Sequence, residues 1–222
     1  TTTVPDPVTQ IYEMASLFRA SDLTGLVHGL IPPSKWEEAR LAYELHQLKP
    51  IRDEKRAEFQ EKIARFTSAS AVDDLMAEIE PKLEEARPKV PSAMLMGFAA
   101  IQMAIASPES ELTDEQRVSL KAAFPSFQIW AFNTDFLSSE TMRQALTLLT
   151  DAARGTGIAD LDHARALTQD ELLYRAGPVL SAAKDAVRLY GIDLDAIVDT
   201  LQVEALSIDA DEATVRTTVT VF

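Results

Sequence analysis

Three histidines, His28, His46 and His163, and no cysteine set the limits of the chemistry this chain can carry. Without a thiolate there is no cysteine nucleophile, zinc knuckle or iron–sulfur site, so any chemistry rests on nitrogen and oxygen groups. A helix-borne zinc site pairs two histidines three or four residues apart, and none of the three has such a neighbour. His163, with Asp160 and Asp162 close by, is the best placed of them, although each also reads as a surface or capping residue. Asp209, Asp211 and Glu212 look like the opening of a calcium loop. That loop wants glycine at its sixth position and glutamate at its twelfth, where Thr214 and Thr220 stand, and a solvated turn accounts for the same acids.

Nucleophile and phosphate motifs fare no better. No Gly-x-Ser-x-Gly elbow is present. The seven glycines, Gly25, Gly29, Gly97, Gly155, Gly157, Gly177 and Gly191, are too dispersed for a P-loop or a dinucleotide fingerprint. Gly25 and Gly29 match GxxxG, which outside a bilayer implies a close helix crossing. With 35 acidic residues, carboxylate pairs arise by chance, and only geometry could single out a glycosidase-like one. The sequence therefore assigns no catalytic, cofactor-binding or metal-ligating residue.

The elements that would position any site are mostly helical. At 222 residues and 46% hydrophobic composition the chain can bury a core without disulfides or metals. Helical periodicity appears in Val8, Ile11, Tyr12, Ala15 and Phe18, then in Leu23, Leu26, Val27 and Leu30. Ser34, with Glu37 at the capping-box position, opens a helix over 35–48 whose two apolar faces predict packing on both sides. A charged hairpin of helices follows over 53–66 and 71–86, with Glu58/Lys62 and Glu61/Arg65 as solvent-side pairs and a kink at Pro81. Pro88 and Pro91 then break the chain. Thr113 with Gln116, and Thr168 with Glu171, form capping boxes that open two later helices, the first ending before Pro125. Between them lies an amphipathic helix over 139–154 with Gly155 as its left-handed stop. Short helices over 162–167 and 193–201 complete the set.

Two stretches depart from this pattern. Residues 93–106 are apolar except for Gln102, too short to span a bilayer and apolar on every side, which predicts the centre of a bundle. The alternative is that Met94, Met96 and Met103 line an adaptable groove for an apolar ligand or partner helix. Phe124, Phe127, Trp130, Phe132 and Phe136 form a dense aromatic cluster that packs a core or walls a pocket, and the Trp130 indole needs a partner if buried. From residue 201 the period changes from 3.6 to 2, predicting a β-hairpin over 201–222 whose edge could take a partner strand or a second copy of the chain.

The expected fold is mainly α: one domain over 1–222, with eight to ten short helices over 8–200 around the 93–106 segment, and the hairpin packed on them. Twenty-one basic against 35 acidic residues give a net charge of −14, which repels nucleic acid and anionic membranes. Seven acids over 192–222 against the single Arg216 imply that a strand partner there is neutral or basic. The polar opening Thr1-Thr2-Thr3-Val4-Pro5 suits a processed, exported chain, and Val219-Thr220-Val221-Phe222 stops within a strand pattern. Together these suggest a non-enzymatic bacterial protein of the periplasm or exterior, free of cofactor and transmembrane segment, that binds a protein partner or a small apolar ligand. The alternative is a hydrolase or metal enzyme built from distant carboxylates and His163 or His46.

Overall fold

In a computed structural model describing residues 6–208 and 213–221, eleven α-helices, two 3-10 turns and one antiparallel strand pair make up the chain. The helices are α1 (Pro7–Arg19), α2 (Leu23–Leu30), α3 (Trp36–Gln47), α4 (Asp53–Thr67), α5 (Ala71–Ala86) and α6 (Val90–Ala106). They continue with α7 (Asp114–Asn133), α8 (Ser139–Gly155), α9 (Leu161–Ala166), α10 (Gln169–Arg188) and α11 (Leu194–Asp199). The strands are β1 (Gln202–Ile208) and β2 (Ala213–Thr218), so the mainly α fold with a C-terminal hairpin is the one present.

The centre is not the 93–106 segment. It lies where α8 packs on α10 and α5, burying Ala145, Leu146 and Thr150 from α8, Ala182 and Ala186 from α10, and Leu75 and Met76 from α5. Small residues on α8 and α10 let the two backbones approach closely, so these helices fill the centre. An all-apolar helix there would need neighbours on every side, and among the described residues α6 packs mainly on α7.

Lys184, only 4% exposed, points from α10 toward α1 and α11. Its ammonium donates to the carbonyls of Phe18 (3.0 Å) and Arg19 (2.9 Å) at the end of α1, and to Asp195 Oδ1 (2.7 Å) on α11. All three donors are used, and the charge sits at the negative end of a helix dipole, which is how a buried lysine is tolerated. Where α1 crosses α2, a Cβ on Gly25 or Gly29 would strike Leu17 or Met14, so the GxxxG pair does mark a close crossing.

Local chemistry explains most helix ends. Both capping boxes form, Thr113 with Gln116 and Thr168 with Glu171. Ser34 caps nothing: Pro32 and Pro33 favour a 3-10 turn over Pro33–Lys35, α3 starts after it, and Glu37 pairs with Arg40 instead. Helix α3 packs on one side only, with Leu45 63% and Leu48 81% exposed. Helix α7 runs through Pro125 to Asn133, because a lone missing donor is outweighed when aromatic packing holds both flanks. Gly155 stays helical and the left-handed residue is Gly157, at φ 64°, while Gly191, at φ 83°, stops α10 as expected. The Glu58/Lys62 pair forms at 2.8 Å, but Arg65 reaches across to Glu78 on α5 (2.6 Å) rather than back to Glu61.

Pro88 and Pro91 do not break the chain. Each falls in the first turn of its helical segment, where no amide donor is needed, so α5, the turn Arg87–Lys89 and α6 form one 36-residue rod, Ala71–Ala106. The hairpin packs on α1, where the Tyr12 hydroxyl accepts from the Val203 amide (3.2 Å), and Arg216 reaches Glu115 of α7 (2.9 Å). Its register shifts between Ala205 and Ser207, which leaves Leu206 as a bulge.

Candidate functional site

Three places could carry function. The first is a cleft of about 360 Å³ between α2, α3 and the start of α10. His28 Nε2 lies 2.9 Å from Asp170 Oδ1, and its ring leans on Trp36 at 3.7 Å between centroids. A histidine oriented by a carboxylate is half of a nucleophilic relay, but the hydroxyls around it are engaged. Tyr43 donates to the Leu167 carbonyl (3.3 Å), and Thr168 Oγ1 donates to Glu171 (2.9 Å) while accepting the Glu171 amide (3.2 Å). The pair bridges α2 to α10 across 142 residues of sequence.

The second is a shallower cleft of about 1060 Å³ between the α1–α2 corner, α8 and α10. Ser21 there holds a left-handed φ of 55°, and the buried Thr24 hydroxyl has no hydrogen-bond partner. The surrounding acids are used locally: Asp22 Oδ1 accepts the Gly25 amide (2.8 Å), Glu171 caps α10, and Asp185 pairs with Arg188 (2.5 Å).

The third is a surface. The 17 residues of α6 include no charged side chain, and only Phe98 and Ile105 are buried. Phe98 packs edge-on against Phe124 (5.9 Å), Phe127 (5.9 Å) and Phe132 (5.2 Å), fastening α6 to α7 along one seam. Arg117 closes the tip by donating to the carbonyls of Ile105 and Ser107. At the other end the Trp130 indole donates to the Tyr190 carbonyl (2.7 Å), while Phe136 stacks on the Tyr190 ring (6.2 Å). Burial there raises the Tyr190 phenol above its ordinary pKa, with Asp135 adding to the effect. Away from these seams both helices are bare: Met96 is 71%, Met103 67%, Val118 68% and Ile129 63% exposed. Within the rod an 18-residue window of mean hydropathy 1.4, 11% of it buried, is long and apolar enough by composition to cross a membrane. Residues 93–106 alone are too short for this, but helix continues through both flanking prolines.

The other candidates are dispersed. His163 Nδ1 accepts its own turn's Ala159 amide (3.3 Å), while Asp160 caps α9 and Asp162 pairs with Arg56 (3.0 Å). His46 is exposed, and its carbonyl, not its ring, is engaged by Arg165 (3.2 Å). Among the described residues no group of three metal-binding side chains converges. Asp209, Asp211 and Glu212 lie outside the described residues, as do Thr1–Pro5 and Phe222. The sequence shows His28 without a partner, because Asp170 lies 142 residues away. The methionines of α6 mark the α6–α7 surface in the sequence, where the same uniform apolarity also reads as a bundle core. No family model, curated protein or solved structure matches the chain.

Proposed function

We propose that this is a non-enzymatic binding protein that works through the exposed apolar surface of α6 and α7. The observation that carries this is a 17-residue helix with no charged side chain and only two buried residues. Nine large apolar side chains stand exposed on the pair. At roughly 200 Å² for each such side chain they leave on the order of 1,000 Å² of apolar surface in water. Burying this surface is worth on the order of 25 kcal/mol before association costs, so it favours whatever covers it.

An apolar dye tests the reading. N-phenyl-1-naphthylamine is neutral and therefore indifferent to the −14 charge. Its fluorescence is expected to rise with the wild-type chain at submicromolar concentration, where the surface is uncovered, and to fall several-fold with Met96→Glu plus Ile129→Glu, at unchanged circular dichroism. Enhancement that survives both substitutions, or that is lost with His28→Ala instead, overturns it.

A further inference from the structure

We infer that the occupant of the α6–α7 surface is a second copy of this chain, laid antiparallel across α6; this rests on the binding role proposed for that surface. Area comes first. The chain exposes 14755 Å², against about 10,000 Å² for a compact monomer of 24.4 kDa. A standard interface takes about 800 Å² from each partner, and the outward faces of α6 and α7 carry nine exposed large apolar side chains toward that area.

Charge selects the partner and its direction. Two chains of −14 repel over most of their surfaces, and the uncharged length of α6 lets them meet without placing carboxylates face to face. That length is bounded by unlike charges: at the base of α6 Arg87 pairs with Asp135 (3.4 Å) and Lys89 with Glu85 (2.8 Å), both pairs exposed, and Glu109 and Glu111 lie just past its end. An antiparallel pair lets these two cations exchange their exposed partners for the acidic tip of the other copy, whereas a parallel pair stacks acid on acid. A bilayer fits less well. Entering it tip-first would carry Glu109, Glu111, Asp114 and Glu115 toward the hydrocarbon, each at a cost of about 2.5–3.5 kcal/mol at the centre. Helix α6 also offers no lysine or arginine to anionic headgroups.

Two glycines make a clean test. Gly97, one residue from the middle of α6, and Gly155, at the end of α8, are both helical, and an added Cβ at either meets nothing within 4 Å. Neither Gly97→Glu nor Gly155→Glu therefore disturbs the folded chain. By sedimentation velocity at tens of micromolar, the wild type and Gly155→Glu are expected at twice the 24.4 kDa chain mass. Gly97→Glu is expected to weaken association at least tenfold, and Lys89→Glu severalfold.

A wild type that sediments as a monomer, or a Gly97→Glu dimer as tight as the wild type, overturns the inference. An unchanged dimer in Lys89→Glu overturns its antiparallel sense. A monomer that still binds the naphthylamine dye through Met96 leaves the binding role standing with another occupant. Flotation of that monomer with phosphatidylcholine vesicles would identify the occupant as a bilayer. A monomer that binds no dye removes both proposals.

Discussion

Between Ala71 and Ala86 the long rod buries Ala71, Leu75, Met76 and Leu83 and turns Asp73, Asp74 and Glu78 outward. Between Val90 and Ala106 the same rod buries Phe98 and Ile105 and turns Leu95, Met96 and Met103 outward. Backbone and axis are shared, so the contrast lies in the side chains alone. The first half states which side faces water, with apolar residues every three or four positions and acids between them. The second half names no wet side at all. Amphipathic patterning places a helix in its own fold, whereas uniform apolarity says only that something must surround it, without saying whether the same chain supplies the cover.

The largest effect expected on the body side of this contrast is at Lys184. Lys184→Ala leaves two α1 carbonyls without their donor and the Asp195 carboxylate with Arg188 alone (3.4 Å), a loss of about 3–5 kcal/mol in urea unfolding. A cost below about 1 kcal/mol would show that the α1–α10–α11 junction is looser than described. The direct comparison pairs two methionines on one rod. Met76→Ala, at 2% exposure, is expected to cost about 2–5 kcal/mol, and Met96→Ala, at 71%, to stay within about 0.5 kcal/mol for the monomer. Equal losses that do not depend on chain concentration would break the contrast, because Met96 would then be covered within its own fold.

The smallest effect concerns the charged outer face that α6 lacks. Hydrogen bonds from Lys55 and then Lys62 hold the Glu58 carboxyl at a pKa of about 2, below its ordinary 4.5. A depressed folded-state pKa contributes stability above pH 4.5 and loses it as the pH falls toward about 2. Glu58 is exposed, so this contribution is screened and small. In an NMR titration, Lys55→Gln combined with Lys62→Gln is expected to return the Glu58 midpoint toward 4.5. An unmoved midpoint would rule out the lysines as its cause.

Periodicity and capping made much of the fold legible from the residues alone. Thr113, Thr168 and Gly191 delimit their helices as their local chemistry demands, and the change of period near residue 201 marks the hairpin. What escaped was tertiary. Lys184 interrupts no stripe, and its three acceptors come from residues 18, 19 and 195. His28 and Asp170 meet only because α2 packs on α10. Pro88, Pro91 and Pro125 mark no helix end, since a proline in a first turn costs little and one in mid-helix can be outweighed by packing. The apolar surface was visible as composition, but its exposure depends on how many neighbours the rest of the chain can spare.

The rod through Pro88 and Pro91 also has a mechanical consequence. Thirty-six helical residues measure about 54 Å, and the two prolines remove amide donors at a single joint between the anchored half and the bare half. The geometry multiplies small angles: a rotation of roughly 20° at that joint would carry the far end of α6, with the tip that Arg117 closes, through about 9 Å.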